Sequence, residues 1–559
     1  MNLRKILAAL LIVVSCAGLF AFNVNAEEEK SDSFIADRTI TGLIFQSAGD
    51  ASVEMNDEIL AYIKEKTGIT LELQGITADS SSQALAAGLA AGDLPDFIAF
   101  YLNHSGRPEM AMLLKAANEG QFADLKPFFE EAETYGKYLE EGYLPEDTYK
   151  NIVFREDWDG ASYLVHMAID RYPAQVAETP IYGGLYIRAD IAEDFDIKPM
   201  EIRTSEELVE LCKKIQEKEY VDENGKPITV IGPTIWGGSE RNWLLNDLVW
   251  TGPANERYWK DEEGNIKHEA QTDYAIKRVE LVQELLKSGI MHPEYFTMEE
   301  NRAKEGVVNG SFAIVADMHS GKPENRDLKY IPLGTINRID GTNNLVHNYK
   351  SGYAGWAIPA TTENPEEVFQ FADWLASREG KMLYIYGLEG RDYDLNEDGN
   401  PVPKQEVLDL IKENPDEAKK LGFRGVRSFW GEHLAWTDLA NKEDFGEESY
   451  ASGMQSDSEE ITVLQKVLEM VDYDKQIEER DIVDGMTVNA FVLEFDPDGG
   501  LATALERYEE DLINAYNAES LEEAEEILAA SRKNLESKGL VEFLEFVAEK
   551  EESGLSILY

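Results

Sequence analysis

Short apolar runs of strand length alternate along this chain with longer stretches whose apolar residues fall at helical spacing. The first block reads as a strand over 40–45, a helix over 52–66, a strand over 71–73, a helix over 82–91 and a strand over 97–101. Such βαβα order predicts a largely parallel sheet covered by helices. A second block opens at Gly184, where a strand leads into a short helix, and Thr204-Ser205 with Glu207 supplies capping chemistry for the helix that follows. Ile276, Val279, Val282, Leu285 and Leu286 lay one apolar stripe along a helix over 274–288, ahead of a strand over 311–316. Beyond Ala502 the pattern is helical and acidic. A chain of 559 residues needs more than one core, yet no Pro-, Ser- or Gly-rich linker divides it, so interleaved lobes are expected. No internal repeat or low-complexity tract interrupts the pattern.

The first residues add an address. Arg4 and Lys5 precede an apolar run over 6–22, after which the chain turns polar. This is the pattern of an export signal, expected over 1–26, and not of a transmembrane anchor. Two processing routes are open. Val24-Asn25-Ala26 offers a cleavage site before Glu27, and Val13-Val14-Ser15-Cys16 resembles a lipobox that would lipidate Cys16 and hold the exported protein at the cell surface. Beyond residue 26 only Cys212 remains, so no intrachain disulfide is expected and the fold must rest on its core. Cys212 lies among apolar positions at helical spacing and reads as a small buried hydrophobe.

Charge narrows the partners. Asp and Glu number 108 against 52 Lys and Arg, a formal net charge of −56. That balance argues against nucleic acid, anionic membranes and acidic polysaccharides, and it also serves solubility.

Five stretches, in order, carry a family resemblance: KEKTGITLEL at 64–73, AAGDLPDFIAFY at 90–101, GLYIRADI at 184–191, VELVQELLKSGIMHPEYF at 279–296, and the run from Gly352 to Asn400. Together with the export signal, they resemble the extracellular solute-binding proteins of ABC importers, especially the long, lipoprotein-type members that carry carbohydrates. The resemblance implies an α/β, two-lobed periplasmic-binding-protein-like type II fold, with interleaved lobes, a hinge and a helical C-terminal extension. It implies crossings between lobes near 170–183, 350–356 and 388–395. Residues 27–175 with 352–390 would then form one lobe, and 176–351 with 391–559 the other. A monomer that closes on a carbohydrate and meets membrane permease subunits is the implied mode of action.

Sugars present hydroxyls in fixed directions and an apolar face of C–H groups, so their sites combine rings with planar polar groups. Ligands of open α/β sheets collect beyond the carboxyl ends of strands. The candidates are therefore Gln46 and Ser47 after the first strand, Phe100, Tyr101 and Asn103 at the third, Trp236 after the PTI segment, Asp317 and His319 after 312–316, and Trp356. Phe100, Tyr101 and Asn103 are placed by the family's Pro95-Asp96 motif, in which Asp96 reads as a structural cap. Rings also fill cores: Trp374, on an amphipathic helix, reads so, and the same reading applies to Trp236 and Trp356. Arg391 is expected to brace the hinge through Glu389 or a nearby acid, while Trp430 and Trp436 could reach the cleft from the tail.

Metal and catalysis find little support. Asp394, Asn396, Asp398 and Gly399 match the first half of a calcium loop, but its twelfth position is Gln405 where a bidentate Glu is needed, so an ordinary turn and no cofactor are expected. The segment 221–233, where some long relatives carry a calcium loop, likewise keeps too few acids. There is no HExxH, GxSxG or Walker loop, and the seven His are scattered. A secreted carbohydrate-active enzyme, with two acids across a cleft, and a sensory or peptide-binding protein on the same fold remain alternatives.

Overall fold

Two separate sheets organise the chain. The computed structural model describes residues 31, 33–46, 55–101, 109–144, 146–167, 184–235, 237–238, 257–261, 263–316, 325, 327–334, 336–337, 344–346, 354–423, 463, 466–472, 475, 481–483 and 488–553. In chain order the strands are β1 (Arg38–Gln46), β2 (Ile69–Thr77), β3 (Phe97–Tyr101), β4 (Val165–Met167), β5 (Leu185–Arg188) and β6 (Thr229–Ile231). They continue with β7 (Tyr258–Lys260), β8 (Ile266–His268), β9 (Phe312–Ala316), β10 (Tyr330–Gly334), β11 (Asn344–Val346), β12 (Ala354–Ala357), β13 (Tyr393–Leu395), β14 (Pro401–Pro403) and β15 (Asp481–Val483). The first sheet has the order β2-β1-β3-β12-β4 and the second β10-β5-β9-β6.

The first sheet is parallel only in part. β1 runs parallel to β2 and β3, but β12 enters between β3 and β4 antiparallel to both. The second sheet is mixed as well, with β5 antiparallel to its two neighbours and β6 parallel to β9. The expected largely parallel order holds for the first block, whose strands β1, β2 and β3 all run parallel, and the reversed strand is β12. A parallel neighbour needs a crossover returning the chain to the same end, whereas β12 follows the strands of the second sheet in sequence and enters the first from its opposite end. Gly42 marks how tightly the early strands pack. It lies opposite both Leu73 and Phe97, and an added Cβ would stand 2.3 Å from the Phe97 ring.

Both faces of the first sheet are buried. Ile40, Ile44, Phe97, Ala99 and Trp356 join Ile59 and Ile63 of the helix Asp57–Thr67 and the helices Pro365–Ala376 and Arg378–Tyr386. The alternate residues Leu43, Ile98, Phe100 and Ala357 join the helices Ala78–Ala91 and Glu109–Asn118, in a cluster that continues into the second sheet through Leu185, Ile187 and Ile314. Cys212 is fully buried there, and burial pushes its thiol up to about 12, as its place on the stripe predicts. The helix Ser205–Gln216 opens on the expected capping box: Thr204 Oγ1 accepts from the Glu207 N–H, and Glu207 accepts from the Thr204 N–H.

The acidic tail forms the helices Gly500–Tyr516, Leu521–Ser537 and Leu540–Glu552. The first two pack on the helix Tyr274–Lys287, and the third packs on the second and on β8. Residues 391–423, in contrast, stay with the first sheet. Tyr393 belongs to its core, Arg391 Nη2 donates to the Leu421 carbonyl at 2.7 Å, and Asn56 Nδ2 donates to the Lys420 carbonyl at 3.0 Å. The expected assignment of this segment to the second lobe is therefore corrected. A pattern of apolar positions shows that the helix Gln405–Glu413 is amphipathic but not which core it covers.

Candidate functional site

The parallel pairing of β1 with β3 brings their carboxyl ends, Gln46 and Tyr101, to the same edge of the first sheet. Ala354, the first residue of β12, pairs with Tyr101 at that edge. In the second sheet, β6 and β9 run parallel and end at Ile231 and Ala316. These four ends are where an open α/β sheet leaves room for a ligand. Of the sequence-predicted site, the structure thus joins Gln46 and Tyr101 by backbone. Their side chains, and all of Ser47, Asn103, Trp236, Asp317 and His319, lie outside the described residues, as do Trp430 and Trp436.

Phe100 and Trp356 are core residues, which corrects the expectation that they line the site. Phe100 lies one residue short of the strand end and packs under the helix Glu109–Asn118. Trp356 is 0% exposed and stacks on Phe97, with ring centroids 4.2 Å apart. Helices cover both faces of this sheet, so the rings of Phe100 and Trp356, which lie short of the carboxyl end of β3 and inside β12, point into a core. Trp374 fills the same core, as its helix predicts.

Charged groups act as struts around the first sheet. Asp96 accepts from the Thr41 N–H at 2.8 Å, the Thr41 hydroxyl at 2.9 Å and Arg38 Nη2 at 2.8 Å, which ties the start of β3 to β1 and fits its reading as a structural cap. Asp373, mostly buried, accepts the backbone N–H groups of Glu133, Thr134 and Tyr135 at 2.8, 3.0 and 2.6 Å. Burial pushes its carboxyl above the usual carboxylate range, and the three N–H groups pull it back in part. Arg391 does brace the chain through ion pairs, though its partners are Asp392 and Glu58, each at 2.6 Å. The segment at 394–399 closes as a turn of the β13–β14 hairpin. Asn396 Oδ1 accepts the N–H groups of Asp398 and Asn400 at 3.0 and 2.9 Å. Among the described residues no group of three or more His, Cys, Asp or Glu is placed to hold a metal ion.

Residues 48–382, more than half of the chain, match the bacterial extracellular solute-binding proteins. The chain belongs to this family. Lipoprotein LipO of Bacillus subtilis strain 168 is 22% identical over 357 residues, 60% of this chain and 64% of that protein, so the match spans just under two thirds of the relative. Among solved structures, the alginate-binding protein AlgQ2 without calcium ion aligns with a TM-score of 0.66 at 17% identity, covering 92% of this chain and 98% of the other. An HMO-binding, ABC-transporter-associated solute-binding protein from Bifidobacterium longum infantis aligns at 0.60 and 14%, covering 91% and 97%. The S. pneumoniae ABC-transporter substrate-binding protein FusA, an EF-hand mutant in complex with fructo-nystose, aligns at 0.56 and 14%, covering 90% and 99%.

At these identities the likeness is one of fold: a two-lobed α/β solute-binding protein with added C-terminal helices. The two sheets described above are its lobes. Among the described residues of this solute-binding protein, no helix is long and apolar enough to cross a membrane.

Proposed function

We propose that this solute-binding protein is the extracytoplasmic binding component of an ABC importer. It closes its two lobes on a carbohydrate, an oligosaccharide, and presents the closed form to membrane permease subunits. The observation that carries this reading is the meeting of Gln46 and Tyr101 at the carboxyl edge of the first sheet in a chain of this family. The carbohydrate class is supported by similar folds whose names state alginate, HMO or fructo-nystose binding, while the net charge of −56 limits the partners without choosing one.

The ligand would lie beyond the strand ends, against Tyr101 with Gln46, Ser47 and Asn103 from the first lobe, and Trp236, Asp317 and His319 from the second. Contacts to both lobes would shift the population toward the closed form, since a ligand moves such an equilibrium only by its differential affinity for the two states. The protein acts as a binder, not an enzyme, and as a monomer. The export pattern over 1–26 places it outside the cytoplasm, released by cleavage or held at Cys16.

A thermal-shift screen against neutral oligosaccharides, peptides and calcium, with product analysis on each hit, tests the reading. A ligand at a hundred times its Kd adds about 2.7 kcal/mol. An unconsumed oligosaccharide that raises the melting temperature supports the binder; cleavage of the sugar, or a response to peptides alone, overturns the proposal.

A further inference from the structure

A pocket of about 430 Å³ opens on the flank of the molecule, between the first lobe and the C-terminal helices. That volume falls within the roughly 300–1,000 Å³ of small-ligand pockets. It is far from the strand ends discussed above. Val165 pairs with Trp356, while Ala354 pairs with both Met167 and Tyr101. β4 therefore runs in the same direction as β3, and Tyr163, two residues before β4 begins, stands at the sheet edge opposite Tyr101.

Two rings and several polar groups line the pocket. Trp158 and Tyr163 meet edge to face with centroids 4.9 Å apart. Trp158 Nε1 donates to Asn118 Oδ1 at 2.7 Å, which orients the amide and leaves its N–H groups turned to other acceptors. Asp157 and Glu494 are committed to ion pairs, the first with Arg155 at 2.5 Å and the second with Lys550 at 2.5 Å. Asp159 is different: its carboxylate makes no hydrogen bond or ion pair among the described residues, and neither does the Tyr163 hydroxyl.

We propose that this pocket is a second saccharide site, taking one neutral sugar ring. The free groups suit adjacent sugar hydroxyls: the Asn118 amide donates, the Asp159 carboxylate accepts, and the Tyr163 hydroxyl does either, while Tyr163 and the part of the Trp158 ring that the Arg155 guanidinium, 4.7 Å from its centroid, leaves uncovered supply a small apolar contact for C–H groups. Other guests fit less well. One uncommitted carboxylate falls short of the six to eight oxygens, approximately, that calcium takes. Asp157, Asp159 and Glu494 outnumber Lys550 in the lining and repel uronates and phosphates.

The inference rests on this lining and not on the cleft reading, and separate variants distinguish the two. The test is saturation-transfer NMR on the protein with methyl β-glucoside, using methyl β-glucuronide as the acidic control, with the melting temperature of each variant checked. The glucoside signal should fall roughly fivefold in Asp159→Ala and in Tyr163→Phe, as expected for one lost hydrogen bond. It should persist in Tyr101→Ala, and the glucuronide should give none. An absent glucoside signal, one that Tyr101→Ala removes while Asp159→Ala leaves it, or stronger binding of the glucuronide would overturn the site.

Discussion

Glu269 and Arg278 face each other through two hydrogen bonds of 2.5 and 2.7 Å, with both side chains buried. The helix Gly500–Tyr516 completes the arrangement. The Tyr508 hydroxyl donates to Glu269 at 3.0 Å, Arg278 Nε donates to the Tyr516 hydroxyl at 2.7 Å, and Arg257 bridges Glu269 to Glu509. The tail is thus locked onto the second lobe by a charged network inside the core. Glu269→Gln would take away the carboxylate that the buried guanidinium groups of Arg278 and Arg257 share. The expected loss is about 3–5 kcal/mol, the usual cost of breaking a buried pair, read as a lower urea midpoint. An unchanged midpoint would mean that the network contributes little.

The same network sets an acid limit. Burial pushes His268 down from 6.5 to about 4, and its neutral Nδ1 accepts the Ala270 N–H at 3.1 Å. The unfolded chain protonates this group at higher pH than the folded one, so its stability is complete above pH 6.5 and is lost as pH falls toward 4. Burial would raise Glu269, but Arg278 and Arg257 outweigh it and hold the carboxyl at about 2. Its contribution is therefore present above pH 4.5 and lost as pH falls toward 2. Melting temperature against pH should decline in these two stages. His268→Gln should flatten the upper one, worth up to about 3 kcal/mol. A variant profile that keeps the upper stage would assign it to other groups.

Asp373 joins the helix Pro365–Ala376 to the turn before Tyr135 by three backbone hydrogen bonds. Asp373→Ala strands those donors in a largely buried place, at a cost of about 3 kcal/mol. Asp373→Asn keeps one acceptor oxygen and should lose less. Urea unfolding of the two variants side by side is the measurement, and equal losses would point to the charge instead.

Tyr101→Ala, at the proposed ligand contact, should leave the melting temperature of the ligand-free protein unchanged within a degree or so. It should weaken binding of the sugar found in the screen by roughly tenfold, the worth of one aromatic platform. Calorimetric titration reads the affinity directly, and an unaltered Kd would take Tyr101 out of the site.

Local pattern carried much of this molecule. The strand Phe97–Tyr101, the helix Tyr274–Lys287, the Thr204 capping box, buried Cys212 and the core place of Trp374 are all legible in the order of apolar and polar residues. These features depend on neighbours within a few positions, where sterics and capping act directly. The family, too, was legible in five short stretches. Other features needed the tertiary structure: the antiparallel entry of β12, the return of 391–423 to the first lobe, the burial of Phe100 and Trp356, and the pairing of Glu269 with Arg278. Each is a choice between distant segments that are equally amphipathic taken singly. Only packing decides such choices, because burying a face or a charge is favourable against one complementary surface and costly against the rest.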